Sequence, residues 1–188
     1  MNHPKSETAQ VRLTINGQSV LATAKTTILE AARTLGVRIP TMCHHRRLTP
    51  IGSCRVCIVK VAGVEEPVAS CTTPVSEGMA VTTSDDEIER LRRQAIQFLL
   101  LNHPLECPIC DKGGECKLQD LTYELNVHRQ EYDMSPVTWQ NDTKSPLIFR
   151  SDGRCVRCGR CVAICAEVQD VRVFQTHEAL RRTPCDES

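Results

Sequence analysis

The chain has 188 residues, with 23 Lys and Arg balanced by 23 Asp and Glu for a formal net charge of zero, so no basic stripe invites nucleic acid. No apolar run reaches the roughly eighteen residues of a membrane span, which excludes a direct span on composition. Aromatic residues make up only 3% while cysteines number twelve, so metal or covalent staples are expected to supply what packing lacks. The opening MNHPKSETAQ has no apolar signal core. A cytoplasmic chain with reduced thiols is therefore expected, and clustered cysteines there read as metal ligands before disulfides.

Residues 10 to 22, QVRLTINGQSVLA, alternate apolar and polar residues around Asn16-Gly17, the strongest short-range hairpin signal. A helix is predicted from about Thr27 to Leu35, with Ile28, Leu29, Ala32 and Leu35 on one face and Gly36 as its stop. CRVCIVKVAG reads as a strand leaving a ligand loop, and Glu66–Cys71 and Met79–Thr83 as two further short strands. Two strands, a helix and more strands form the pattern of a β-grasp domain over residues 10–83. Its cysteines fall as Cys43-x10-Cys54-x2-Cys57-x13-Cys71. Four thiolates from such a cradle suit a 2Fe–2S cluster, although the plant-type spacing has four residues in the first gap where this chain has ten. His44 and His45 adjoin Cys43 and are read as surface residues, since four cysteines already suffice.

Residues 84–102 are predicted as a connecting helix, opened by a Ser84-x-x-Glu87 capping box and acidic Asp85, Asp86 and Glu87. Ile88, Leu91, Ala95, Phe98 and Leu99 form its apolar stripe, with Arg90, Arg92 and Arg93 mostly off it. The helix delivers His103 to a motif of four donors within fourteen residues, His103-x3-Cys107-x2-Cys110-x5-Cys116. Pro104 and Pro108 break helix there and leave the donors in extended chain. Gly113 and Gly114 let the backbone curl around an inorganic core. One His and three Cys could also hold zinc. A second helix is predicted from Glu115 to about Val127, with Leu118, Leu121 and Leu125 inward, closing a module over 84–127. Residues 128–147 read as an irregular connector in which Tyr132 and Trp139 find burial.

The segment 148–188 carries Cys155-x2-Cys158-x2-Cys161-x3-Cys165, the bacterial ferredoxin run with Ala166 in place of its final proline. Three cysteines every third residue suit a cubane better than zinc's paired ligands. A single 4Fe–4S cluster is expected on Cys155, Cys158 and Cys161, with Cys165 or Cys185 as the fourth ligand. The fold class is therefore α+β: a 2Fe–2S ferredoxin domain, a small helical His/Cys module and a ferredoxin-like segment.

The Cys43/Cys54/Cys57/Cys71 set, NHPLECPICDKGGECKLQD and CVRCGRCVAICAEVQ, in this order, resemble the iron–sulfur electron-transfer chain of the large NADH-dehydrogenase (complex I) subunit. They are similar also to diaphorase subunits of NAD-linked hydrogenases and to the N-terminal region of NAD-dependent formate dehydrogenases. The resemblance covers roughly residues 10 to 170. It implies one 2Fe–2S cluster, a His/Cys-ligated 4Fe–4S cluster and another 4Fe–4S cluster from residue 155 on. It departs from the family in lacking a second cysteine run.

No phosphate loop, nucleophile–base pair or G-x-G-x-x-G fingerprint is present, so no catalytic site of the chain's own is expected. The expected role is a wire subunit that relays single electrons between a flavin- and NAD(P)-binding diaphorase subunit and a catalytic oxidoreductase partner, such as hydrogenase, formate dehydrogenase or another reductase. Two alternatives belong to other classes: a zinc-stapled adaptor, and an iron or redox sensor with a labile cluster.

Overall fold

Asn16 and Gly17 adopt φ of 51° and 78°, the paired left-handed residues whose twist suits a two-residue hairpin loop. In the computed structural model, which describes residues 9–133, 141–142, 147, 150–172, 174–175 and 186–187, this turn joins β1 (Gln10–Ile15) to antiparallel β2 (Gln18–Thr23). Asn16 also reaches across the sheet: its Nδ2 donates to Thr83 Oγ1 at 2.8 Å and its Oδ1 accepts from the Thr83 N–H at 2.9 Å. The chain divides into two compact units, Met1–Thr41 with Arg55–Arg92, and Met42–Cys54 with Arg93–Ser188.

In the first unit, α1 (Ile28–Thr34) begins at a Thr27/Glu30 capping box. Thr27 Oγ1 accepts from the Glu30 N–H at 3.3 Å, and Glu30 Oε2 accepts from the Thr27 N–H at 2.9 Å. Two otherwise orphaned donors are thereby satisfied. Gly36, at φ 72°, follows its end as expected. β3 (Ile58–Val61), β4 (Val68–Ala69) and β5 (Ala80–Thr82) complete a mixed sheet of order β2-β1-β5-β3-β4, with only β1 and β5 parallel. Leu13 and Ile15 of β1, Val59 of β3 and Val81 of β5 meet Ile28, Leu29 and Ala32 of α1 in one core. Each fully buried Leu or Ile contributes about 1.5–3 kcal/mol.

The connecting helix, α2 (Asp86–Leu100), departs from expectation in two ways. Its cap is Asp85 rather than Ser84: Asp85 Oδ1 accepts from the Ile88 N–H at 2.8 Å, and the Asp85 carbonyl takes the first helical bond from Glu89. Lys60 of β3 draws in both Asp85 and Glu87, at 2.7 and 2.6 Å, so Glu87 is committed to strand rather than to Ser84. The hydrogen bond from Lys60 holds the Asp85 carboxyl below its ordinary range, and Asp85 and then Glu87 hold the Lys60 amine above its own. Second, the buried line along α2 is Ile88, Arg92 and Ile96, while Phe98 is 57% exposed. Arg92 is buried because its guanidinium donates to the Ile58 and Thr83 carbonyls at 2.9 Å each and pairs with Glu89 at 3.0 Å. A paired, hydrogen-bonded charge can take a core position that hydrophobic periodicity assigns elsewhere.

In the second unit, Phe98 stacks on Tyr132 with ring centroids 4.8 Å apart, and Gln94 and Gln97 hydrogen-bond the Tyr132 hydroxyl and the Arg129 carbonyl. Trp139 lies outside the described residues. A 3-10 turn (Cys107–Ile109) precedes α3 (Lys117–Glu124), which is shorter than expected but buries Leu118 and Leu121, with Leu125 buried at its C-cap. β6 (Asn141–Asp142) pairs with β7 (Arg150–Ser151), a second 3-10 turn covers Asp152–Arg154, and α4 (Arg160–Glu167) follows. β8 (Phe174–Gln175) pairs with β9 (Asp186–Glu187). Among the described residues, no helix is long and apolar enough to cross a membrane.

Candidate metal centres

Cys57 and Cys71 lie in the core of the first unit, each 1% exposed. Ser70 ties their backbones together: its N–H and its Oγ both reach the Cys57 carbonyl, at 3.1 and 2.7 Å. Cys43 and Cys54 belong to the second unit and are also buried. The Cys43 N–H points at Cys54 Sγ, 3.5 Å away, a donor that favours thiolate over thiol. His45 is exposed and its Nδ1 accepts from the Arg47 N–H, while His44 is half-buried.

His103 follows α2 in a turn closed by its N–H on the Leu100 carbonyl at 3.1 Å. Burial first, and the charge of Arg154 second, hold its imidazole below the ordinary range, keeping it in the neutral form that can bind a metal. Cys107 opens the 3-10 turn with Pro108 in its first positions, and Cys116 caps α3. Between them the backbone coils back on itself, Gly113 N–H donating to the Cys110 carbonyl at 2.9 Å. A Cβ on Gly113 would stand 2.8 Å from the Cys107 carbonyl oxygen and 3.1 Å from that of Cys110. Glycine is needed there because the loop passes so close to itself; Gly114 is needed for its φ of 83°. His103, Cys107 and Cys116 line one cavity of about 460 Å³ with Leu118, Tyr123 and Tyr132. Cys110 is not part of that lining.

In the last run, Cys155 and Cys158 flank Arg157, at φ 52°, and Cys161 and Cys165 sit on α4. Gly159, at φ 69°, turns the chain into that helix, and a Cβ there would meet Ile51 Cδ1 at 2.5 Å. Arg160 Nε donates to Cys158 Sγ at 3.3 Å. Burial of the sulfur, with the neighbouring Cys161 and Cys158, raises the Cys155 thiol. A metal that binds such a thiol removes its proton outright. Cys185 lies outside the described residues.

None of the described cysteines is in a disulfide. Among the described residues no three His, Cys, Asp or Glu side chains converge at the spacing of a single metal ion; a sulfide-bridged core is held by thiolates at separate irons. The donor types, the N–H···S contacts and the Gly113 curl all fit such a core. Sequence reasoning did not single out Arg154, whose charge acts on His103 from 51 positions later (154 − 103). Nothing in local sequence spacing marks it.

Two family models match the chain: a 2Fe-2S iron-sulfur cluster binding domain over residues 8–86, and the NADH-ubiquinone oxidoreductase-G iron-sulfur binding region over residues 92–131. Subunit alpha of a Geobacter sulfurreducens NADPH-Fe(3+) oxidoreductase is 41% identical over 172 residues, covering 90% of this chain and 20% of the relative. The Reclinomonas americana NADH-ubiquinone oxidoreductase 75 kDa subunit is 40% identical over 161 residues, covering 86% and 23%. The mitochondrial NADH-ubiquinone oxidoreductase 78 kDa subunit of Neurospora crassa is 40% identical over 162 residues, covering 85% and 22%. The chain thus spans about a fifth of the length of these curated relatives. A solved structure of an NAD+-reducing [NiFe]-hydrogenase in its H2-reduced state superposes with a TM-score of 0.81 at 29% identity, over 89% of this chain and 70% of that one.

Proposed function

We propose, from the match to the NADH-ubiquinone oxidoreductase-G iron-sulfur binding region and the similarity to the 75 and 78 kDa NADH-ubiquinone oxidoreductase subunits, that the chain relays single electrons through one 2Fe–2S and two 4Fe–4S clusters. In this reading Cys43, Cys54, Cys57 and Cys71 hold the first cluster in a β-grasp module over 10–83. His103, Cys107, Cys110 and Cys116 hold the second in a module over 84–127. Cys155, Cys158 and Cys161 hold the third in the segment 148–188, completed by Cys165 or Cys185, with 128–147 as the connector. When bound, these groups accept and pass on one electron at a time.

The chain's own residues would supply ligation, burial and charge. The observation that carries the reading is the His103–Cys116 segment: a neutral imidazole and two thiols line one cavity, and in the same loop Gly113 has no space for a methyl group. A diaphorase subunit with flavin would split the hydride of NAD(P)H, which a one-electron carrier cannot receive. A catalytic oxidoreductase partner would stand at the other end, in the cytoplasm.

Anaerobic purification tests the reading. A brown preparation with iron, acid-labile sulfide and separable EPR signals for three clusters, co-eluting with a flavoprotein that reduces it, supports it; a colourless, zinc-only preparation overturns it. Neutral His103 carries one negative charge fewer than a thiolate. His103→Cys is accordingly expected to keep a cluster and lower its midpoint in a potentiometric titration.

A further inference from the structure

Two residues outside the donor sets meet at a telling place. Glu106 directly precedes Cys107 and Arg154 directly precedes Cys155, the first cysteine of each run in the second unit. The Arg154 guanidinium lies 3.2 Å from Glu106 Oε2, across 48 residues of sequence. Each partner is anchored in the backbone of its own cysteine loop. The Glu106 carbonyl accepts from the Ile109 N–H at 3.0 Å, and Arg154 ends the turn in which Asp152 accepts from the Cys155 N–H at 3.2 Å. The pair is part-exposed, with side chains 24% and 53% accessible, a class that contributes little to stability. Its consequence lies in where it puts charge.

We propose that Arg154 and Glu106 form a redox-tuning pair, in which Arg154 presents a permanent positive charge to the centre held by His103, Cys107, Cys110 and Cys116 and Glu106 attenuates it. The inference rests on the iron–sulfur reading above. Reduction adds a negative charge to the centre, so a nearby cation stabilises the reduced form and raises the midpoint, while an anion does the opposite. Arginine suits the task because it is charged at every working pH and its planar fork is held by a carboxylate. The carboxylate that holds it belongs to the residue directly before Cys107.

The test is a mediator titration with dithionite, followed by EPR, on the anaerobically purified full chain and its variants. Arg154→Gln is expected to disfavour reduction of the His103 centre about tenfold, ~59 mV for one electron. Glu106→Gln unmasks the arginine and is expected to shift the midpoint upward, and Arg154→Lys to restore most of the wild-type value. A merely structural bridge is broken equally by Arg154→Gln and Glu106→Gln, so midpoints that move the same way, or stay put with the signal intact, overturn the proposal. Should Arg154→Gln fail to assemble, Glu106→Gln decides it: an upward midpoint supports the pair, and an unchanged or lowered one overturns it. A wild-type chain without the signal would overturn the iron–sulfur reading itself, and this proposal with it.

Discussion

In the first unit, a five-stranded sheet and α1 enclose an apolar core in which Ile15, Ile28, Leu29 and Val59 have no exposed surface. The second unit is built otherwise. Its α4 buries no residue at all, its α3 buries two leucines within its span, and Cys107, Cys155 and Cys161 are exposed. One region follows the ordinary rule that apolar burial drives folding. On the proposed iron–sulfur reading, the other would have its short helices and cysteine loops held by what the cysteines bind, as in small domains whose metal binding is their folding free energy. The difference teaches that a chain poor in aromatics can concentrate its apolar packing in one unit and leave the helices of the other with little of it.

Iron removal should break the comparison most visibly. After anaerobic chelation, hydrogen exchange is expected to lose protection throughout Lys117–Glu124 and Arg160–Glu167 while β1, β2 and α1 stay protected. Uniform loss across both units would show that the first also depends on metal. Next in size, Leu29→Ala in the first core should cost about 2–5 kcal/mol in denaturant unfolding. Ile164→Ala, at a half-exposed site on α4, should stay within about 0.5 kcal/mol. Gly113→Ala drives a methyl group into two carbonyls and should cost about 1–3 kcal/mol of local strain, read as fewer irons per chain with the first unit's melting unchanged.

The smallest effect belongs to Asp85. Its folded value is depressed by Lys60, so its contribution is present above the ordinary carboxylate range. That contribution is lost as pH falls through the lowered folded value. Asp85→Asn keeps a good helix cap and should flatten that acid limb in a pH series of thermal melts.

Much of this was legible in the sequence where the physics is local. The Asn16-Gly17 turn, α1 and its Gly36 stop, and the burial of Leu118, Leu121 and Leu125 follow from propensity and period. In the candidate site, the curl at Gly113 and the left-handed turn at Gly114 were legible too, from the two adjacent glycines between Cys110 and Cys116. What was not legible acts across long separations. Lys60 decides which residue caps α2, 25 positions away. Arg92 enters the buried line only because two carbonyls, one 34 residues distant, are waiting for it. Asn16 is a turn residue by sequence and a clamp on Thr83 by structure. Hydrophobic periodicity holds no information about such partners.

The grip of Arg92 reaches further than its own helix. One of its two carbonyls belongs to Ile58, the neighbour of Cys57. The first turns of α2 are therefore strapped to the backbone beside that thiol, and the strap has little slack at 2.9 Å. Any load that pulls this end of α2 outward would be felt next to a sulfur atom.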